Sequence, residues 1–160
     1  MFTKALVPID GSETAEAALD CVVKAASPDT KVLLLQVVDS AERIIVQTTP
    51  AGYGIAGGNF TPGIVDSVID AQHDSATAHL EAAQAHLTAA GVGNVETRIL
   101  QGLPGEEIVR VATVEGYDLV VMGTRGRSGL RRAVMGSVAD HVVRNLEGIP
   151  VMLINPPETE

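Results

Sequence analysis

The sequence feature that most constrains the fold is an apolar run that leads into a glycine-rich loop and then into an amphipathic segment. Residues 119–122, Leu-Val-Val-Met, have the length and composition of a buried parallel strand. Glycines punctuate the next stretch, 123–136, and apolar residues return at helical spacing over 137–146. This order of strand, loop and helix presents backbone N–H groups and a helix N-terminus to an anion, so the sequence predicts a phosphate site here.

Basic residues are concentrated in the same loop. The chain carries 11 lysines and arginines against 20 aspartates and glutamates, a net charge of −9. Four of the basic residues nevertheless fall within the loop: Arg125, Arg127, Arg131 and Arg132. A bound polyanion accounts for this concentration. We expect Ser137 to be the N-cap of the following helix, with a hydroxyl that also reaches a phosphate oxygen.

Strands and helices alternate along the whole chain. Apolar runs predict four further strands, at 5–7, 32–38, 95–100 and 151–154. Amphipathic spacing predicts three further helices, at 12–26, at 66–90 and from Pro104 until Gly116. Five strands alternating with four helices indicate an α/β fold, a single-domain open parallel sheet with right-handed crossovers and helices on both faces.

One region, 39–65, lacks a clear period. It contains five glycines between Gly52 and Gly63. A connection of this length in a compact domain is typically a functional lid or a disordered segment, and the sequence leaves both open beside a packed insertion. The predicted domain spans 1–155 and includes this glycine-rich loop, and 156–160 form a tail that we expect to be frayed.

The composition disfavours several classes of partner. A surface that binds duplex DNA needs a basic face, and bases of single strands stack on aromatic side chains. This chain is acidic and has 2 Tyr, 2 Phe and no Trp, so we expect no nucleic acid partner. Its apolar runs are shorter than the ~20 residues of a membrane span, so we expect no membrane insertion. The lack of an export signal and the single cysteine, Cys21, lead us to expect a cytoplasmic protein.

Three histidines in the predicted helix at 66–90 invite a metal interpretation. His79 and His86 are seven residues apart, about 10.5 Å along a helix, which is too far for one ion. His73 lies on another face of the helix. We therefore expect all three to be solvent-facing polar residues, and no metal ligands are assigned.

The spacing Gly123-x2-Gly126-x9-Gly136-Ser137 resembles the nucleotide-binding signature of the universal stress protein family, in its ATP-binding branch. The segments at 7–12 (Val-Pro-Ile-Asp-Gly-Ser) and 148–154 resemble the beginning and end of the same family. The resemblance covers essentially the whole chain except the region around 40–65. It implies an adenine-nucleotide alpha-hydrolase-like fold with strand order 3-2-1-4-5. The switch point of such a sheet falls between strands 1 and 4, and ligands bind there at the carboxyl ends of the strands.

The loop supplies the predicted phosphate cradle. Its backbone amides lie around five residues: Gly126, Arg127, Gly136, Ser137 and Val138. Arg127 is the arginine that we expect to contact phosphate, whereas Arg131 and Arg132 are equally consistent with solvated or dimer-pairing residues. The alternative is that the glycines only shape a turn and a helix start, which leaves the arginines unexplained.

The resemblance also implies contacts for the nucleoside. Asp10 is expected near the ribose hydroxyls with Gly123 beside it, and Val37 is expected to contact adenine through its backbone. The apolar walls would be Pro8, Ile9 and Met122. Two alternatives stay open from the residues alone: Asp10 as a helix-capping or turn carboxylate beside Ser12, and ordinary core or strand-end packing for Val37 and the apolar residues.

ATP is the expected ligand, with a divalent ion such as Mg²⁺ on its phosphates. The chain has no GxxxxGK[ST] loop, and its glycine-rich segment contains no lysine. No catalytic residues are assigned, because no acid–base or nucleophile set can be assembled. ATP is therefore interpreted as a regulatory ligand; the alternative is a slow ATPase or a phosphoryl or nucleotidyl transferase. Receiver-like and flavodoxin-like functions are disfavoured, since strand 3 ends in Leu100-Gln101-Gly102 rather than in an acceptor aspartate and the aromatics that flank a flavin are missing.

The last strand, Val151–Ile154, is an exposed edge, and the resemblance implies a homodimer through it. A regulatory protein partner is also expected, but the sequence does not identify it. The sequence likewise leaves open whether ATP, AMP or a cyclic nucleotide is the physiological ligand.

Overall fold

Five parallel strands form one sheet in the computed structural model, which describes residues 1–48, 62–124 and 135–155. The elements are β1 (Lys4–Pro8), α1 (Glu13–Ala25), β2 (Lys31–Val38), α2 (Ala41–Thr48), α3 (Pro62–Ala89), β3 (Asn94–Gln101), α4 (Pro104–Val114), β4 (Leu119–Gly123), α5 (Ser137–Asn145) and β5 (Val151–Ile154). The strand order is β3-β2-β1-β4-β5, and every neighbouring pair is parallel. The α/β fold class and the strand order 3-2-1-4-5 are thereby confirmed.

The sheet separates two apolar layers, which explains the unbroken apolar run of β2. Alternate side chains of a strand point to opposite faces, so Val32 and Leu34 pack with α1 and α3, whereas Leu33 and Leu35 pack with α4 and α5. A strand covered on both faces has no solvent side, and its sequence reads as continuous hydrophobic residues. The core therefore lies in two layers, and both reach the carboxyl ends of the central strands.

Part of the region expected to be irregular is helical. α2 occupies Ala41–Thr48 within the predicted loop at 39–65, and α3 begins at Pro62, earlier than predicted. Ser40 starts α2, because its Oγ accepts a 3.4 Å hydrogen bond from the N–H of Arg43. Ile44, only 3% exposed, anchors the helix to the protein. So short a helix depends on tertiary packing for its stability. Residues 49–61 of the predicted loop and the tail at 156–160 lie outside the described residues.

A carboxylate fixes the amino-terminal end of β1 beside β4. Asp118 precedes β4 and accepts hydrogen bonds from the Thr3 amide (2.8 Å), the Thr3 hydroxyl (2.7 Å) and the Lys4 amide (2.9 Å). Partial burial acts to raise the pKa of Asp118, but the hydrogen bonds from Thr3 and Lys4 outweigh it and hold this pKa below its ordinary value. The ionised carboxylate therefore stabilises the fold.

We expect Asp118→Asn to lower the free energy of unfolding at pH 7 by about 1–2 kcal/mol, because the NH₂ of asparagine would oppose one of the amide donors. The stabilisation by Asp118 is fully present above the unfolded-state pKa of about 3.9 and is lost as the pH falls through the lower folded-state value. Urea denaturation of both proteins between pH 7 and pH 2 measures this. The two unfolding free energies should converge at the acidic end, and a constant difference across that range would contradict the assignment.

Candidate functional site

A cavity of about 340 Å³ opens at the carboxyl ends of the central strands, between β1 and β4. This is the point where the chain leaves β1 for one face of the sheet and β4 for the other, so the two following helices diverge and leave a gap. Strand ends, and the first turns of α1, α4 and α5, form the wall. The lining residues are Pro8, Ile9, Asp10, Ser12, Ala15, Leu35, Val37, Pro104, Ile108, Met122, Gly123, Thr124, Gly136, Ser137, Val138 and Ala139.

Nine of the eleven predicted site residues line this one cavity. They are Pro8, Ile9, Asp10, Val37, Met122, Gly123, Gly136, Ser137 and Val138. The other two, Gly126 and Arg127, lie outside the described residues, as do the remaining arginines of the loop. Sequence positions more than a hundred residues apart thus meet at one place, and contact of each with a ligand stays a prediction.

Asp10 is held in a turn and also lines the cavity. Its Oδ1 accepts a 3.0 Å hydrogen bond from the N–H of Ser12. Gly11 between them has φ +79°, a backbone conformation that favours glycine. The turn interpretation of Asp10 is therefore correct in geometry. It does not exclude a ligand role, because Asp10 also lines the cavity and is the one charged residue among the described lining residues.

Gly136 closes the base of the glycine-rich loop rather than offering its amide to a ligand. Its N–H donates a 2.6 Å hydrogen bond to the carbonyl oxygen of Thr124. The Thr124 amide donates in turn to the carbonyl of Ile154 in β5, at 2.9 Å. The predicted cradle must accordingly exclude the Gly136 amide. Ser137 and Val138 remain, since N–H groups in the first turn of a helix have no partner within that helix.

The N-cap of α5 is Gly136, not Ser137 as predicted. Gly136 has φ −62° and ψ 158°, the extended conformation of a cap, and no side chain caps the helix. Its carbonyl oxygen accepts the 2.9 Å hydrogen bond from Asp140. Ser137 is the first helical residue and is exposed, which leaves its hydroxyl at the cavity and outside the capping hydrogen bonds. The prediction failed because serine is the commoner cap, and here glycine precedes it.

Sequence reasoning missed several wall residues that tertiary packing brings in. Thr124 follows β4, Pro104 begins α4, and Ala15 and Ala139 lie in the first turns of α1 and α5. The small side chains of the two alanines leave room at the switch point. The positions of Pro104 and the two alanines could in principle be predicted, because each lies in the first turn of a helix that follows a strand at the carboxyl edge of the sheet.

His79 is not the solvent-facing residue that its helix position suggested. Its imidazole lies against Gly11, where a Cβ would come within 2.3 Å of the ring, and its Nδ1 is 3.3 Å from the side-chain oxygen of Gln36. His86, in contrast, is half-exposed beside Asp20, with Nε2 2.9 Å from Oδ1. Within the described ranges, no three His, Cys, Asp or Glu side chains gather where they could hold a metal ion.

Residues 61–155 match the sequence profile of the universal stress protein family, which is more than half of the chain. This chain belongs to the universal stress protein family. Among its relatives, universal stress protein YxiE of Bacillus subtilis is 34% identical over 155 residues, with 96% of this chain and 99% of YxiE covered. The structure of MJ0577, a universal stress protein of Methanocaldococcus jannaschii, superposes with a TM-score of 0.79 at 29% identity, with 99% of each chain covered.

Two more distant universal stress proteins of the same fold have been solved with adenine nucleotides. One was determined in complex with cAMP and superposes with a TM-score of 0.65 at 21% identity, covering 97% of this chain and 98% of its own. An Arabidopsis thaliana member was determined with AMP bound and has a TM-score of 0.65 at 20% identity, covering 96% of this chain and 91% of its own. In our chain, none of the helices within the described residues is long and apolar enough to cross a bilayer.

A second glycine–imidazole contact supports the cavity wall at α4. Gly105 follows the wall residue Pro104, and a Cβ on it would lie 2.8 Å from ring carbons of His141 in α5. This close approach is what brings the first turns of α4 and α5 together at the cavity. The absence of a side chain at 105 is therefore a packing requirement.

We expect Gly105→Ala to lower the free energy of unfolding by about 1–3 kcal/mol through overpacking. In a His141→Ala background the same change should cost less, because the ring carbons are gone, but some cost should remain, since the Cβ of residue 141 would still lie 2.9 Å from the new Cβ. Urea denaturation of the four proteins gives the coupling between the two sites. Additive effects would show that the two residues do not contact as described.

Proposed function

We propose that this universal stress protein is an ATP-binding regulatory protein of the cytoplasm, with the cavity between β1 and β4 as its nucleotide site. The observation that carries the proposal is the convergence of the described signature residues, Gly123, Gly136 and Ser137, on one cavity at the sheet's switch point. The proposed role is regulatory: nucleotide occupancy alters what the protein contacts in a stress response, including a protein partner that stays unidentified.

The wall combines the two kinds of surface that a nucleotide requires. The first turn of α5 offers the amides of Ser137 and Val138 and the positive end of a helix dipole to phosphate. Pro8, Ile9 and Met122 offer apolar surface to adenine. One charge at a helix terminus contributes only ~0.3–1 kcal/mol, and micromolar affinity needs about 8.2 kcal/mol, so phosphate contacts, arginines and adenine burial must combine.

Relatives with AMP and cAMP support an adenine nucleotide as the ligand class. The choice of ATP rests on the glycine signature and on the four arginines of the loop, which suit more than one phosphate. A Mg²⁺ ion would be held by the phosphates and water rather than by a cluster of carboxylates.

A regulatory role is favoured over turnover by what surrounds the cavity. Phosphoryl transfer needs a group that orients the attacking water and a cation that stabilises the transferred phosphoryl group. Asp10, the one acid among the described lining residues, lies on the proposed ribose side. The proposed function therefore uses the binding energy of ATP and assigns no catalytic residue.

The direct test is to denature the purified protein and identify any released nucleotide by chromatography, followed by calorimetry with ATP and Mg²⁺. We expect Gly136→Leu to bind ATP at least about tenfold more weakly, a loss of about 1.4 kcal/mol, because Gly136 lines the cavity. Its φ of −62° is one that any residue adopts, so the substitution strains no backbone.

Gly93→Leu is the matched control. Gly93 is exposed at the amino-terminal end of the sheet, and the nearest atom to a Cβ there is 3.9 Å away. This variant should bind ATP like the wild type. A wild-type protein that releases no nucleotide and binds none in calorimetry would refute the ATP site and leave the fold intact.

We also propose a homodimer through β5, because it is an edge strand of the sheet in the part of the chain that the structure describes. The carbonyls of Pro150 and Ile154 accept hydrogen bonds from the β4 side, so the backbone groups of Val151 and Leu153 point away from the sheet. Leu153→Pro should therefore remove an outward donor while sparing the pairing with β4.

Light scattering at micromolar concentration should give a dimer for the wild type and for the control Leu153→Ala, and a monomer for Leu153→Pro. A monomeric wild-type protein would overturn this proposal without affecting the nucleotide site.

A further inference from the structure

The imidazole of His79 supports the turn that carries Asp10. A Cβ at Gly11 would lie 2.3 Å from Cε1 and 2.4 Å from Nε2 of the ring, so the ring occupies the volume that a side chain on the turn would need. Only glycine can approach the ring this closely, and the φ of +79° at Gly11 also favours glycine. The backbone between Asp10 and Ser12 thus rests directly on the ring of His79.

The same ring is fixed to the sheet. Its Nδ1 is 3.3 Å from the side-chain oxygen of Gln36, a β2 residue that is only 4% exposed. A buried amide oxygen that lacks a hydrogen bond is costly, which favours the tautomer whose Nδ1–H donates to Gln36, and this hydrogen bond holds the ring in place. Gln36 is followed in β2 by Val37, which lines the cavity.

We propose that His79 is a positioning residue of the nucleotide site and that it sets the selectivity for the ribose. One side chain on α3 thus contacts both the Asp10 turn after β1 and Gln36 near the end of β2. The inference rests on the proposed function, in which Asp10 faces the ribose hydroxyls. His79 itself does not line the cavity, so it acts through Asp10 and not by contact with the ligand.

The ring of His79 limits the backbone conformations that are open to the turn. Gly11 has no side chain and samples more backbone conformations than any other residue. The ring restricts it by occupying the space beneath it, and Asp10 Oδ1 then meets the Ser12 amide at 3.0 Å. Without the ring, the turn gains conformations, and Asp10 loses the fixed orientation on which a directional hydrogen bond to a hydroxyl depends.

The first test needs no ligand. In His79→Ala, the Ser12 amide should exchange its hydrogen at least about tenfold faster by NMR, because its acceptor Asp10 is no longer held. The Ala26 amide, which donates to Val22 at the other end of α1, should keep its wild-type rate. His86→Ala is the matched control, a histidine of the same helix that contacts Asp20 instead of the turn. It should leave Ser12 unchanged.

The second test measures ribose selectivity by calorimetry with ATP and with 2′,3′-dideoxy-ATP, which lacks both hydroxyls. We expect the wild type and His86→Ala to prefer ATP by at least about tenfold, the loss of one hydrogen bond to a charged group. In His79→Ala this ratio should fall to about threefold or less. His79→Asn places an amide nitrogen near the position of Nδ1 and keeps the contact with Gln36, but it lacks the ring atoms Cε1 and Nε2 that lie against Gly11, so its ratio should stay as low as that of His79→Ala.

The outcomes separate the two proposals. If His79→Ala binds both nucleotides more weakly but keeps the wild-type ratio, or if Ser12 exchange is unchanged, His79 is a structural residue and the inference is overturned while the ATP site stands. If the wild type binds neither nucleotide, the proposed function fails and the ribose selectivity fails with it. The Ser12 exchange rate still decides whether His79 positions the turn.

Discussion

The pairing of β1 with both β2 and β4 is the constraint on which the rest of the structure depends. β1 pairs with β2 from Lys4 to Pro8 and with β4 through Ala5 and Leu6. Because the chain runs outward from this strand in both directions, the helices after β1 and β4 leave toward opposite faces of the sheet. The gap between them is therefore a consequence of strand order rather than of any one side chain. The side chains determine whether this gap is filled or remains open as a cavity.

The amino-terminal and carboxyl ends of the central strands differ in how they are closed, and this difference places the candidate site at the carboxyl ends. At the amino-terminal end, Asp118 closes the structure by accepting three hydrogen bonds from Thr3 and Lys4. At the carboxyl end, small residues and first-turn amides leave a cavity of about 340 Å³. The amino-terminal end is thus closed by hydrogen bonds where no ligand is proposed, while the first N–H groups of α5, at the carboxyl end, have no partner within that helix, which suits an anion.

Local signals in the sequence were sufficient for most of the strands and helices, whereas the strand order and the nucleoside side of the cavity wall came from the resemblance to the family. The strands were predictable because buried parallel strands are continuous apolar runs, and Ser12 was predictable because its hydroxyl caps α1, accepting from Ala15 at 3.3 Å. Three features were not predictable: the short helix α2, the use of the Gly136 amide within the loop base, and the contact of His79 with Gly11. Each depends on a neighbour distant in sequence, and neither hydrophobic period nor residue propensity reports such a neighbour.

Thr124 connects the cavity wall to the edge of the sheet. Its carbonyl oxygen accepts from Gly136, its amide donates to Ile154 at 2.9 Å, and its hydroxyl donates to Asn155 at 3.0 Å. The base of the glycine-rich loop and the end of β5 therefore share one residue. A ligand that shifts the start of α5 must either lengthen these hydrogen bonds or move Thr124 and the end of β5 as well. Short directional hydrogen bonds weaken steeply when they are misaligned. The edge strand proposed for the dimer is thus coupled mechanically to the cavity proposed for the nucleotide, through two backbone hydrogen bonds and one side-chain hydrogen bond.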